Sequence, residues 1–282
     1  MTRASIAAGL AALVIPLAAA QGPTFSTKLE VVRLDVLVTA GGKPLRGLTV
    51  DDFDVSDNGV RQTLDLASFE QIPLSVVLAL DASASLSAAQ LDHLRDAGRA
   101  VLQALKQDDQ AALVTFSEIV SLEQALTGEA AAIESALERV DPEGRTALVD
   151  GVYSAVTVAD TSRGRGLAIV FSDGLDTASW LTKDQVIGAA RRSDVVVYGV
   201  ATGRTETDFL SSLTDDTGGR LLQIESTAEI RDRFLAILAE FRERYVLSYT
   251  PRGVTRSGWH RLDVRIKGRR ATVRARPGYQ AQ

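Results

Sequence analysis

The chain has 282 residues, 45% of them hydrophobic, and its 31 basic against 36 acidic side chains leave a formal charge of −5. That mildly acidic balance argues for solubility and against a nucleic-acid partner, and the length allows one large domain or two modest ones with a sizeable core. With no cysteine in the sequence, disulfides, thiolate metal sites, a cysteine nucleophile and a lipid-modified N-terminal cysteine are all excluded.

Residues 1–20 carry Arg3 and then a mostly apolar stretch from Ile6 to Ala20, closing on Ala18-Ala19-Ala20 before Gln21. The stretch is short for a membrane span, which needs about 20 apolar residues. It reads as a secretory signal peptide over 1–20, with an uncleaved anchor as the alternative. The expected location is therefore outside the cytoplasm, periplasmic or secreted, with no transmembrane segment after cleavage.

Residues 21–72 alternate in the manner of strands. Leu29 to Thr39 does so with a slip at Val31-Val32 that suggests a bulge. Phe53 to Ser56 and Arg61 to Phe69 are joined through Asp57-Asn58-Gly59, where Asn-Gly signals a hairpin.

From 73 to 243 strands and helices take turns. Leu74 to Leu80, behind Pro73, is apolar at six of seven positions and reads as a strand buried on both faces. Ser87-x-x-Gln90 opens a helix with Leu91, Leu94, Gly98, Val101, Leu102 and Leu105 inward. Strands follow at 111–116, 167–171, 195–199 and 219–224, with a short antiparallel one expected at Ile119 to Leu122. Helices are expected at 129–140, 147–160, 207–214, after the cap Thr182-x-x-Gln185, and after Ser226-x-x-Glu229. This alternation requires a doubly wound, mostly parallel, Rossmann-like sheet covered by helices on both faces.

Residues 244–282 return to strand-like alternation at Tyr245 to Tyr249, His260 to Ile266 and Ala271 to Ala275. Too few strands stand at either end to form a stable unit alone. The economical arrangement is one small β-sandwich built from both chain ends, with the α/β domain inserted between them.

The chemistry gathers at the strand ends. Asp81-Ala82-Ser83-Ala84-Ser85 follows the first buried strand directly, and in an extended segment that spacing points all three side chains one way. Three hard oxygen ligands there suit Mg²⁺, Mn²⁺ or Ca²⁺; alternatively, the serines merely lead into the next helix. Gly144-Arg145-Thr146 places a threonine at a helix start, as a site residue or only an N-cap. Ser172-Asp173-Gly174 places an aspartate in a tight turn after the second buried strand. In this order the five positions resemble the von Willebrand factor type A domain and its metal-ion-dependent adhesion site, over roughly residues 73–243. The phrases Gly42-Lys43-Pro44-Leu45 and Asp52-Phe53-Asp54-Val55, with the ending Arg276-Pro277-Gly278-Tyr279, are similar to a family of exported bacterial von Willebrand factor A-related proteins.

The resemblance implies that Ser83, Ser85 and Thr146 touch a metal while Asp81 and Asp173 act mainly through bound water. A carboxylate of a protein partner then fills an open position of Mg²⁺ (or Mn²⁺ or Ca²⁺). Function follows as adhesion or assembly; the alternative is a structural envelope protein whose metal only stabilises the fold. No enzyme is expected, because metal-assisted hydrolysis needs a general base. His93 and His260 read as surface residues, the latter on an edge strand. Asp150 and Asp176 either tune the site or are solvated carboxylates. Trp180 either anchors a partner at the rim or packs under its own loop. The basic cluster Arg265, Lys267, Arg269, Arg270, Arg274 and Arg276 either meets an anionic surface or keeps an edge from aggregating.

Overall fold

A computed structural model describes residues 31–68, 72–162, 164–203 and 207–281, so the expected leader at 1–20 lies outside the described residues. The first segment gives β1 (Val32–Ala40), β2 (Lys43–Pro44), β3 (Phe53–Asp57), β4 (Val60–Arg61) and β5 (Leu66–Ser68). The middle gives β6 (Leu74–Asp81), α1 (Ala88–Ala104), β7 (Gln110–Phe116), β8 (Val120–Thr127), α2 (Ala130–Glu138) and α3 (Leu148–Asp160). It continues through β9 (Arg165–Ser172), α4 (Lys183–Ala190), β10 (Val196–Thr202), α5 (Thr207–Asp216), β11 (Leu221–Ile224) and α6 (Ile230–Arg242). The last segment gives β12 (Tyr245–Tyr249), β13 (Gly258–Ile266), β14 (Thr272–Arg274) and β15 (Gly278–Ala281). Among the described residues no helix is long and apolar enough to cross a membrane.

The central sheet runs β11-β10-β9-β6-β7-β8, parallel except for β8 against β7. β6 and β9 are buried at every position, which is why each reads as an almost unbroken apolar run. Successive side chains leave on opposite faces. Val76, Leu78 and Leu80 pack with α1, α2 and α6, whereas Val77 and Ala79 pack with α3, α4 and α5. Ser87 and Thr182 form the expected capping boxes of α1 and α4. The Ser226–Glu229 box instead opens a short 3₁₀ turn just ahead of α6. β8 is longer than the strand expected at Ile119 to Leu122.

Two antiparallel sheets, β14-β1-β12-β5 with β2 on β1 and β15-β13-β3-β4, form the sandwich. Each mixes strands from both chain ends, with Val32 opposite Tyr249 and Val55 opposite Val264. Asn58 and Gly59 both hold positive φ, 48° and 81°, as a tight hairpin turn requires. The slip at Val31-Val32 is no bulge: Val31 precedes β1, and regular pairing begins at Val32. The strand expected from Arg61 to Phe69 divides between the two sheets as β4 and β5, with Phe69 outside the described residues. β15, which the alternation did not predict, pairs with β13.

His260 is a clear correction. β13 lies between β15 and β3, and the imidazole is only 1% exposed. Its Nδ1 is 2.7 Å from Asp57 Oδ1, while the Tyr249 and Tyr279 hydroxyls donate to Asp57 Oδ2 at 2.9 Å each. Sequence alternation could not reveal these partners, which come from both chain ends.

The sandwich sits against the N-terminal edge of the central sheet. Arg165 forms a buried ion pair with Asp35 of β1, its Nε donating at 2.8 Å. It also donates to the Phe241 carbonyl at 3.0 Å and lies 4.5 Å above that ring. Buried Arg244 donates to the Tyr198 hydroxyl and the Gly218 carbonyl, both at 2.7 Å. The C-terminal basic cluster largely serves this junction and the sandwich surface. Arg276 bonds the Ser193 and Arg33 carbonyls, Arg274 the Gly219 carbonyl, and Lys267 the Asp51 carbonyl.

Candidate metal centre

The strand order creates the site. From β6 the chain passes through α1 to β7 on one side, and from β9 through α4 to β10 on the other. Between strands whose connections diverge, a crevice opens at their C-terminal ends, where α/β sheets hold ligands. Asp81 ends β6, Ser172 ends β9, and Asp173 follows.

Asp81 is buried, accepting the Ser83 N–H on Oδ1 at 3.0 Å and the Ser172 hydroxyl on Oδ2 at 2.8 Å. Residues 81–85 are not extended as the spacing suggested. β6 stops at Asp81, whose carboxylate captures the Ser83 amide, and the Leu86 N–H closes on the Ser83 carbonyl at 3.1 Å. This side-chain-led turn brings the hydroxyls together. The Ser83 and Ser85 hydroxyls lie 2.8 Å apart, and Ser85 Oγ donates to Asp173 Oδ1 at 2.8 Å.

Thr146 arrives from the loop before α3. It does not cap that helix, whose N-cap is Ala147 without a side-chain bond. Thr177 fixes it instead: the Thr146 N–H donates to Thr177 Oγ1 at 3.2 Å, and the Thr146 carbonyl accepts the Thr177 N–H at 2.8 Å. A Cβ on Gly174 would stand 3.5 Å from Thr146 Oγ1, so this hydroxyl borders the Asp173-Gly174 turn. Gly151 lets the start of α3 approach β7, because a Cβ there would overlap the Phe116 ring.

Asp150 and Asp176 prove to be anchors rather than solvated carboxylates. Asp150 accepts the N–H groups of Trp180 and Leu181 at 2.9 Å each. Asp176 accepts the Ser179 hydroxyl at 2.6 Å and the Val149 N–H at 3.3 Å. Together they tie loop 174–182 to α3. The loop leaves the Trp180 side chain 92% exposed, which removes the reading that it packs underneath. Ser172, Thr177 and Ser179 support the site and were not singled out from sequence. Ser172 stands inside the Ser-Asp-Gly turn, which was the available signal.

Burial pushes the Asp81 carboxyl up, partly offset by hydrogen bonds from Ser83 and Ser172, and the Asp173 charge pushes it further up. A buried carboxylate in that state is relieved by a nearby cation. The oxygens present fit a small hard one. Neighbouring ligands around octahedral Mg²⁺, with bonds of about 2.1 Å, stand about 3.0 Å apart, close to the 2.8 Å between the Ser83 and Ser85 hydroxyls. Among the described residues no group of three or more His, Cys, Asp or Glu is placed to hold a metal. The site emerges only when its hydroxyls are counted. Neither histidine belongs to it: His93 meets Thr227 at 2.9 Å and His260 is buried in the sandwich.

The sequence profile of the von Willebrand factor type A domain matches residues 75–234. Inter-alpha-trypsin inhibitor heavy chain H2 of Sus scrofa is 22% identical over 174 residues, 56% of this chain and 19% of that protein. Among solved structures, a von Willebrand factor type A protein from Catenulispora acidiphila matches with a TM-score of 0.58 and 14% identity. The match covers 87% of this chain and 75% of that one. Proximal thread matrix protein 1 from the mussel byssus, with its metal-ion-dependent adhesion motif occupied by zinc, matches with a TM-score of 0.56 and 16% identity. That match covers 64% of this chain and 48% of the mussel chain. The chain therefore spans about a fifth of the curated relative and about half of the mussel protein. With more than half its length matched by the family profile, the chain belongs to the von Willebrand factor type A domain family.

Proposed function

We propose that this chain is a divalent-metal-dependent protein-binding module acting in adhesion or assembly outside the cytoplasm. The observation that carries the reading is the string Ser83–Ser85–Asp173, joined in 2.8 Å steps beside buried Asp81 at the switch point. Ser83, Ser85 and Thr146 would hold the cation directly, with Asp81 and Asp173 acting through bound water. Mg²⁺, with Mn²⁺ or Ca²⁺ as substitutes, would supply a site held largely by neutral hydroxyls, still strongly positive and open to a carboxylate of the partner.

The chain's own residues set the terms of capture. Asp81 and Asp173 repel an acidic partner until their charge is balanced. The turn at Ser83 orients both serine hydroxyls, and Asp150 with Asp176 keeps loop 174–182 in place. The reading is one of binding because neither histidine stands by to serve as a general base. Location outside the cytoplasm rests on the apolar stretch at residues 6–20.

Thermal unfolding tests the ligand assignment. Mg²⁺ or Mn²⁺ should raise the wild-type Tm by mass action on the folded state, and Asp81→Ala or Thr146→Ala should abolish the rise. An unchanged rise in both variants overturns the assignment. Capture of envelope or culture proteins should vanish with EDTA and with Asp173→Ala. Chelator-resistant capture supports a structural envelope component instead, and metal-dependent turnover supports a hydrolase.

A further inference from the structure

Trp180 is the most exposed large apolar side chain among the described residues, at 92%. Leu175, two residues beyond Asp173, is 54% exposed, and Ile119, in the turn between β7 and β8, is 74% exposed. All three lie in loops at the C-terminal edge of the central sheet, around the site. Single exposed apolar residues are ordinary, but a group bordering a polar site marks an interaction surface. The backbone at Trp180 and Ile119 is also fixed. Both Trp180 and Leu181 donate to Asp150, and the Ser117 carbonyl in the Ile119 turn accepts the Ala147 N–H at 2.8 Å. A side chain held in water on an anchored loop loses little further backbone freedom when a partner arrives.

We infer that Ile119, Leu175 and Trp180 form an apolar rim that grips the residues flanking the partner's carboxylate. The occupant is then a protein segment with one Asp or Glu between apolar side chains. This rests on the metal-dependent reading above. Charge favours that occupant over an anionic lipid surface: Arg145, a cation at this rim, is already paired with Glu118 at 2.6 Å. Asp81 and Asp173 add negative charge, so an acidic residue is accepted only with the cation bound.

The full chain labelled with ¹⁵N tests the rim, because its two tryptophans give separate indole resonances. Trp259, in the sandwich and 4.7 Å from the Arg191 guanidinium, is the internal control. The probes are MgCl₂ and three blocked pentapeptides: Gly-Leu-Glu-Leu-Gly, Gly-Leu-Gln-Leu-Gly and Gly-Gly-Glu-Gly-Gly. With Mg²⁺ the first peptide should move the Trp180 indole and leave Trp259 still. Trp180→Ala should weaken that peptide about tenfold and leave the glycine-flanked one unchanged. If the leucine- and glycine-flanked acidic peptides bind equally, or Trp180 stays still with every peptide, the rim is overturned while the metal reading stands. If Mg²⁺ moves none of the Ser83, Ser85 and Thr146 amides, the metal reading itself fails. A Trp180 resonance that shifts with protein concentration alone would make a second copy the occupant and overturn the acidic segment.

Discussion

The two edges of the central sheet treat charge and apolar surface in opposite ways. At the edge facing the sandwich, Arg165 is matched by Asp35, Arg242 by Asp109 and Arg276 by Asp194. Aromatic rings cover two of those guanidiniums, Phe241 over Arg165 and Tyr279 over Arg276. At the other edge, hydroxyls and carboxylates lean on one another, and Trp180 stands almost wholly in water. The contrast separates groups that hold the fold from groups left available to something outside it. Charge matched inside the protein gives rigidity, whereas hydroxyls and carboxylates gathered at the strand ends form the candidate site.

The largest expected effect lies at the closed edge. Asp35→Ala leaves Arg165 buried without its counter-charge and should cost about 3–5 kcal/mol, read as a lower urea midpoint. Replacing the pair together, Asp35→Leu with Arg165→Met, should recover most of that loss. Equal losses in the single and double variants would mean that the junction depends on shape rather than charge.

The open edge should respond to metal. At a Mg²⁺ concentration of 100 Kd, stabilisation should be about 2.7 kcal/mol. Thr146→Ser should keep it and Thr146→Val should lose it, as calorimetry would resolve. Retention by the valine variant would remove Thr146 from the ligand set.

Acid should loosen the closed edge through Asp109. Burial alone would raise this carboxyl, but the Arg242 guanidinium and the Leu74 and Lys106 N–H groups outweigh it and hold the group below its usual range. The folded state thus takes up this proton less readily than the unfolded one. The stabilisation is complete above the ordinary aspartate value of about 3.9 and disappears as pH falls through the lowered one. Wild type should therefore lose stability more steeply than Asp109→Asn below about pH 4; parallel curves would contradict this. The smallest effect is Trp180→Ala, which should change stability by less than about 0.5 kcal/mol. A larger loss would place its indole in the fold rather than at the rim.

What sequence made legible follows from how local each cause is. β6 and β9 were readable because burial on both faces leaves apolar runs, and the caps at Ser87 and Thr182 because a capping box spans four residues. The five candidate positions could be named from the motif, but their geometry could not. The turn at Ser83 depends on a side-chain bond from Asp81, and the contact from Ser85 to Asp173 joins residues 88 apart. His260 was misplaced for the same reason, since its partner Asp57 lies 203 residues away. Asp150 could be read only as a tuning or a solvated carboxylate, because its partners, the Trp180 and Leu181 N–H groups, lie 30 and 31 residues away.

β12 lies between β1 and β5, so the chain leaves the α/β domain beside the strand through which it entered. This insertion imposes an order of assembly. During synthesis β1, β3 and β5 must wait for β12, β13 and β14, which emerge only after the whole inner domain, as with Asp57 and Tyr249, which are 192 residues apart. Such distant pairings close slowly, because chain entropy is lost before contacts compensate it. The inner domain, made of neighbouring strand–helix units, can form first and bring Ser68 opposite Val246. Until then the early strands have open edges, the condition in which chains join one another. A variant that slows the inner domain should thus be lost to aggregation during synthesis even when its finished form is stable, and pulse-labelled hydrogen exchange would show β6 and β9 protected before β1.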